Sequence, residues 1–182
     1  MKLGLCLLLF SISSIAWIED EFCKSVLEKI KTNNLDFSYS QQEIDYMKFC
    51  QKDGYNLLHL WSMYSKNIKW ALFLIDKAKI PCDNYYLQRN PLMDAVSCEN
   101  IESATILITL NPKLVNMIDA AHWNSLYWAV RVKNQDIIKL LIKNGANINQ
   151  KDINGYKSKD YCESRKIKKL LHKEEKLLKS IY

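Results

Sequence analysis

The chain has 182 residues and carries 26 Lys and Arg against 20 Asp and Glu, a formal net charge of +6. A hydrophobic fraction of 48% and a charged fraction of 25% are typical of a folded chain, and they exclude disorder over most of its length. The length predicts a single domain.

The charge is unevenly distributed along the chain. Residues 17–150 contain fifteen basic and fifteen acidic residues, whereas residues 151–182 contain ten basic and five acidic ones. The positive field is therefore a property of the C-terminal segment.

Residues 1–16 have the pattern of a secretory signal peptide. Lys2 is followed by an apolar run from Leu3 to Ile15, and small residues end at Ala16, the predicted cleavage position. An uncleaved N-terminal anchor is the alternative, although the run is short for a bilayer span of roughly 20 residues. The pattern predicts an exported protein, either periplasmic or secreted. The absence of an Asn-x-Ser/Thr acceptor sequence favours a bacterial periplasm.

Five cysteines remain after residue 16: Cys23, Cys50, Cys82, Cys98 and Cys162. Because five is odd, at least one thiol is free or bridges to another chain. Cys23 and Cys50 are the one pair that we expect to be able to bridge, since both lie in the N-terminal segment. We do not expect the fold to depend on a disulfide, and Cys162 falls at a position that needs a small buried side chain.

Residues 17–50 predict two helices. Apolar residues recur at helical spacing in the first, and acidic residues occupy its first turn. After a loop at residues 31–36, Ser40 and Glu43 form a capping-box pattern that opens a second helix carrying Ile44, Met47 and Phe49. Because this pair is out of register with the rest of the chain, we interpret it as N-terminal capping helices.

The remainder of the chain is repetitive. Asn56, Asn90, Asn124 and Lys157 lie 34, 34 and 33 residues apart. Each opens a turn, an apolar helix pattern, a polar turn and a second apolar helix pattern, which predicts a stacked helical array. We expect the asparagines to cap their helices. We also expect burial between units of six aliphatic side chains: Leu72, Leu74, Leu107, Ile108, Leu141 and Ile142.

The third unit opens with Asn124-Ser125-Leu126-Tyr127-Trp128-Ala129 and closes with Leu141-Ile142-Lys143-Asn144-Gly145-Ala146-Asn147-Ile148-Asn149. These segments resemble the ankyrin repeat, over about residues 51–171. The resemblance implies an all-α ankyrin-repeat solenoid of about three to four helix-turn-helix repeats. Residues 172–182 would then form a basic C-terminal capping helix or tail. The family's Thr-Pro pair is intact nowhere, and Trp61 replaces its buried alanine in the first unit.

The resemblance also implies which residues meet a partner, because the family binds through hairpin tips and the exposed side of each first helix. Transfer by position gives the tip residues Tyr55, Arg89, Trp123 and Tyr156, with Tyr86 and Leu87 beside them, and the helix residues Met63, Tyr64 and Arg131. Tyr, Trp and Arg dominate binding energy at interfaces. An aromatic residue at a tip can instead stack on the next hairpin, and we expect Trp128 to wedge between helices.

These features indicate a protein–protein interaction module and not an enzyme, with another protein as partner, no cofactor, no metal, no nucleic acid and a monomeric state. His59, His122 and His172 lack metal-site spacing, and we expect the His59 imidazole to hydrogen-bond backbone across its turn. Two alternatives remain. One is a cysteine-dependent hydrolase or redox enzyme. The other is a peripheral membrane component that docks through residues 163–182, whose apolar stripe otherwise caps the last repeat.

Overall fold

The structure, a computed structural model, describes residues 21–52, 55–81 and 88–181, with the backbone alone for residues 51–52 and 178–181. The predicted signal peptide, Cys82, Tyr86 and Leu87 lie outside the described residues. Two helices come first, α1 (Glu21–Lys31) and α2 (Gln41–Tyr46), the latter continued by a 3-10 turn at Met47–Phe49. Two short antiparallel strands come next, β1 (Gln51–Lys52) and β2 (Tyr55–Asn56), with Gln51 opposite Asn56.

The rest of the described chain is a row of helix pairs. The first three pairs are α3 (Leu57–Tyr64) with α4 (Ile68–Leu72), α5 (Pro91–Ser97) with α6 (Ile101–Leu110), and α7 (Ser125–Arg131) with α8 (Gln135–Lys143). In the fourth unit a 3-10 turn at Ser158–Tyr161 replaces the first helix, and α9 (Arg165–Ile181) comes after it. Helix α3 packs on α5, α5 on α7, and α7 on the Ser158–Tyr161 turn. The predicted all-α solenoid is confirmed.

One asparagine in each of the first three units makes two kinds of hydrogen bond. The Oδ1 atoms of Asn56, Asn90 and Asn124 accept from backbone N–H groups in the first turns of α3, α5 and α7, as expected of N-caps. Their Nδ2 groups donate to the carbonyls of Pro81, Leu114 and Asn147, at 3.0, 3.1 and 3.2 Å. Each amide therefore ties the start of a repeat to the loop that ends it.

A second row of asparagines links neighbouring repeats. Asn100 caps α6, and its Nδ2 group donates to the carbonyls of Ser62 and Ser65 in the preceding repeat, at 3.1 and 3.0 Å. Asn134 caps α8 and donates to Glu99 Oε2 at 3.0 Å. These hydrogen bonds connect the turns of neighbouring repeats. They satisfy polar groups that a purely apolar interface would leave without partners.

The N-terminal segment seals the first repeat, since α1 packs on α3. The predicted capping box is present, with Ser40 Oγ accepting from Glu43 N and the Glu43 carboxylate accepting from Ser40 N. The pairing of Cys23 with Cys50 is confirmed, and it joins α1 to the residue directly after the Met47–Phe49 turn. Phe49, which we placed on the second helix, lies at the end of the 3-10 turn with its ring exposed, while Met47 is buried.

Burial agrees with the expectation for Leu74, Leu107, Ile108 and Leu141, but not for Leu72, which is 37% exposed. Helix α4 continues directly into a π-helical stretch at Phe73–Lys77, and Trp70, Ala71 and Leu74 form the buried stripe of this segment, so Leu72 lies off that stripe. Ile142 is half-buried.

Helix α9 covers the last repeat with one face. Ile167 and Leu171 are buried, and the buried carboxylate of Glu175 pairs with Lys157 and Lys159 of the preceding turn at 3.2 and 2.9 Å. The capping role of the apolar stripe is thus confirmed over these residues. The boundary that we placed between residues 171 and 172 falls inside this continuous helix, because the same face stays in contact with the repeat on both sides of it. No helix in the described ranges has both the length and the apolar character needed to cross a bilayer.

Candidate functional site

Five aromatic rings from the third and fourth units form a continuous group, here called the aromatic cluster: Trp123, Tyr127, Trp128, Tyr156 and Tyr161. Trp123 lies at the centre, stacked on Tyr127 with ring centroids 5.3 Å apart and planes 9° apart. The Trp128 and Tyr161 rings meet Trp123 at 5.5 and 5.8 Å, and Tyr156 meets Tyr161 edge-on at 6.0 Å. These rings come from the hairpin tips, α7 and the Ser158–Tyr161 turn, so stacking of the repeats brings them together.

Two buried aspartates hold the polar edges of these rings. Asp119 Oδ2 accepts from Trp128 Nε1 at 3.2 Å, whereas Asp152 Oδ2 accepts from Trp123 Nε1 at 3.4 Å and from the Tyr161 hydroxyl. The hydrogen bond to Asp152 raises the pKa of Tyr161. With both indole N–H groups and this hydroxyl occupied internally, the rings are fixed before any partner arrives.

The same aspartates shape the hairpin loops. Asp119 Oδ1 accepts from the backbone N–H groups of Ala121 and Trp123, both at 2.9 Å. Asp152 Oδ1 accepts in the same way from Asn154 and Tyr156, also at 2.9 Å. Each carboxylate therefore positions both a loop and the aromatic residue at its tip.

The predicted tip residue Arg89 does not present its side chain to solvent, since it is only 9% exposed. The guanidinium pairs with Asp94 at 2.7 Å and lies 3.8 Å from the ring centre of Trp128 in the next repeat. Asp94 is 1% exposed, and its Oδ2 atom has no hydrogen-bond partner among the described residues. Burial raises the pKa of Asp94 to about 6, against the opposing attraction of Arg89.

Two predicted residues remain accessible at this surface: Tyr156, which belongs to the aromatic cluster, and Arg131, which lies beside it. Arg131 is exposed at the end of α7, with its guanidinium 5.8 and 5.7 Å from the ring centres of Trp123 and Trp128. Tyr156 is 55% exposed at the tip of the fourth unit. Trp123 is half-buried and stacks internally, which agrees with the alternative expected for an aromatic residue at a tip. The accessible surface therefore consists of fixed aromatic rings with the Arg131 guanidinium at its edge.

The predicted residues of the first repeat are separate from this surface. Tyr55 is half-buried, with its ring 6.2 Å from that of His59, and Met63 is half-buried on α3. Tyr64 is exposed, with Lys31 Nζ 5.4 Å from its ring centre. The predictions for Tyr86 and Leu87 fall outside the described residues.

Three described side chains of the kinds used in catalysis are those of His59, Cys98 and Cys162. The buried His59 lies 2.6 Å from Asn56 Oδ1 through Nδ1 and 3.2 Å from the Arg89 carbonyl through Nε2, which confirms its expected turn-bridging role. Burial and the neighbouring Asp94 raise the pKa of the exposed Cys98 thiol, the opposite of what an activated nucleophile requires. Cys162 is buried as predicted. Among the described residues, no group of three His, Cys, Asp or Glu side chains is arranged to hold a metal ion.

Sequence reasoning missed Tyr127, Tyr161, Asp119 and Asp152 as parts of this surface. A signal for the aspartates was present, because each lies five residues before the residue that opens its unit, Asn124 or Lys157. In the ankyrin pattern that the chain resembles, Asp-x-x-Gly-x-Thr-Pro-Leu-His, an aspartate stands at this position. Tyr127 lies three residues after Asn124, as His59 does after Asn56, which is the histidine position of that pattern.

Comparison with known proteins agrees with this geometry. The family model described as ankyrin repeats (3 copies) matches residues 88–152, which include α5 to α8, Trp123 and Asp152. The chain is also similar to the human palmitoyltransferase ZDHHC17, with 36% identity over 78 residues. That alignment covers 42% of this chain and 12% of the human protein, so the chain spans about an eighth of the length of this relative.

Proposed function

Because this chain is an ankyrin-repeat protein, we propose that it acts by binding another protein through the aromatic cluster and Arg131. The family is generally used for protein–protein interaction and is typically non-enzymatic. The observation that carries the proposal is that the rings of the cluster are locked by Asp119 and Asp152 while Arg131 and Tyr156 stay exposed.

The chemistry of this surface defines the kind of partner segment that fits. Because the indole N–H groups are occupied, the cluster offers ring faces and edges and no free indole donor. An apolar or aromatic side chain of the partner would pack on the rings of the aromatic cluster, and a carboxylate beside it would pair with Arg131. Tyr, Trp and Arg in a rigid patch are the composition of an interface hot spot.

The experiment compares three forms of the full chain as bait in its own source cells. Arg131→Ala with Tyr156→Ala removes accessible groups and leaves Trp123 and Trp128 in place. Lys69→Ala with Phe49→Ala is the matched control, because it removes an exposed cation and an exposed aromatic ring that are not among the predicted binding residues. A partner retained by wild type and control, and released by the first variant, supports the proposal. Equal retention by all three forms contradicts it.

We further propose that the protein works after export. The bond between Cys23 and Cys50 supports this proposal, since disulfides form and persist in oxidising compartments such as the periplasm or the cell exterior. The residue pattern at positions 1–16 supports it independently. Fractionation of the source cells, with thiol labelling before lysis, would test it: a reduced Cys23 in a cytoplasmic fraction would contradict export.

A further inference from the structure

Helix α9 presents a dense set of exposed cations. Arg165, Lys166, Lys168, Lys169, Lys173 and Lys176 are all exposed, and none of them has an ion-pair partner within the described part of the chain. At about 1.5 Å per residue they extend over roughly 16 Å of helix.

The acidic groups nearby do not neutralise this row. Glu163 pairs with Lys133, and Glu175 is buried between Lys157 and Lys159. Glu174 is half-buried in a shallow cleft between α8 and α9, where Lys139 and Lys143 lie beside it. The outward face of α9 is therefore strongly positive.

This arrangement works against the stability of the helix. Arg165 with Lys169, and Lys169 with Lys173, are like charges four residues apart, which repel each other on a helix surface. No acidic residue occupies the first turn, and cations there oppose the helix dipole. A cap needs a polar outer face, and mixed charges would provide one with less repulsion. The uniform positive sign of these exposed charges on α9 indicates a role other than solvation of the cap.

The apolar side of α9 limits what that role can be. Ile167 and Leu171 are buried against the repeats, and Leu170 lies in the cleft against Ile142 of α8. The apolar face of α9 is therefore already docked at Ile167 and Leu171, whereas Leu177 further along the helix is 47% exposed. The attraction of the α9 cations to a ligand is electrostatic and lies at the surface.

We propose that α9 holds the protein against an anionic lipid surface. Five of the six cations are lysines, whose ammonium groups are compact charges without the planar fork that makes arginine the usual residue for pairing with protein carboxylates. A row of such charges suits a continuous layer of anionic headgroups, which attracts basic segments in this way. The aromatic cluster lies on other elements, so this surface is independent of the proposed protein-binding function.

The test uses the full chain and vesicles of phosphatidylcholine, with and without one third phosphatidylglycerol. Lys166→Gln with Lys169→Gln and Lys173→Gln removes three charges from α9. The matched control, Lys24→Gln with Lys69→Gln and Lys113→Gln, removes three exposed charges of the body that have no ion-pair partner among the described residues. Circular dichroism verifies that both variants are folded.

We expect wild type and control to sediment with anionic vesicles and not with neutral ones. We expect the α9 variant to bind at least tenfold more weakly, since one lysine near an anionic surface contributes about fivefold. Failure of the wild type to bind, or equal loss in both variants, would overturn the proposal. So would binding of poly-glutamate through the α9 lysines in the absence of vesicle binding, because that result would assign the helix to an acidic protein.

Discussion

The Arg89 guanidinium lies 3.8 Å from the ring centre of Trp128, across the boundary between the second and third repeats. The same side chain pairs with the buried Asp94 of its own repeat. One cation therefore couples a buried carboxylate to an aromatic residue of the next unit. Because Trp128 also belongs to the aromatic cluster, this contact links the interface between two repeats to the candidate surface.

A double-mutant cycle should detect this coupling. We expect Arg89→Gln and Trp128→Leu each to destabilise the protein, and the double variant to lose about 1 to 2 kcal/mol less than the sum of the two, as for a desolvated cation–π pair. Denaturant unfolding measures the three values. Additive losses would show that the stack contributes nothing beyond the separate side chains.

Asp94 should make stability depend on pH. Burial raises its pKa from an ordinary value near 4 to about 6 in the folded state, so the folded protein binds this proton more tightly than the unfolded chain. The contribution of Asp94 to the free energy of unfolding therefore falls as pH rises from about 4 to about 6. The expected loss is roughly 2 to 3 kcal/mol.

The measurement is denaturant unfolding of wild type and Asp94→Asn across this pH range. The difference in free energy of unfolding between the two should change with pH, in favour of the variant as pH rises. The exposed Asp76→Asn serves as the control for loss of one carboxylate. A constant difference between wild type and Asp94→Asn would show that Asp94 titrates normally.

The asparagines that open the repeats should contribute more than helix caps. Asn124→Ala removes both the cap and the bond from Nδ2 to the Asn147 carbonyl, and we expect a loss of about 2 to 3 kcal/mol. Asn124→Ser restores the capping oxygen but does not reach that carbonyl, so it should recover only about 1 kcal/mol. Asn111, which has no side-chain cap bond, provides the matched Asn→Ala control. Full recovery by serine would mean that the Nδ2 bond adds nothing.

The register of the fold is predictable from sequence because residues of one type recur at one period. Asn56, Asn90 and Asn124 each begin a helix where predicted. Their second bond could not be predicted, since its acceptor lies 23 to 25 residues away and its position depends on where the second helix ends. The expectation for Leu72 failed for a different reason: the helix buries Trp70, Ala71 and Leu74, which are spaced by three and four residues, and Leu72 lies off that face.

The candidate site was only partly predictable, because the environment of each tip residue comes from neighbouring repeats. Arg89 and Trp123 occupy equivalent tip positions in the sequence. Asp94 and Trp128 draw Arg89 inward, whereas Trp123 stays half-buried on Tyr127. Those partners lie four to thirty-nine positions away, and only the stacked structure brings them together.

The disulfide between Cys23 and Cys50 should stabilise the N-terminal cap. It closes a loop with a sequence separation of 27, for which loop-closure entropy gives roughly 3.5 kcal/mol. We expect Cys23→Ser with Cys50→Ser to lower the free energy of unfolding by about that amount. The wild type should shift to the same value under reducing conditions, and the variant should not respond to reductant. An equal response of both proteins would place the redox-sensitive bond elsewhere.

Site-specific photo-cross-linking in the source cells tests protein binding at the aromatic cluster most directly. A photoreactive amino acid replaces Arg131 or Tyr156 in two derivatives, and exposed Lys69 or Lys113 in two controls. We predict that both site derivatives trap the same protein, through a peptide with an apolar or aromatic residue beside a carboxylate, and that the controls do not. Trapping of that protein from position 69 or 113, with none from 131 or 156, would contradict binding at this surface.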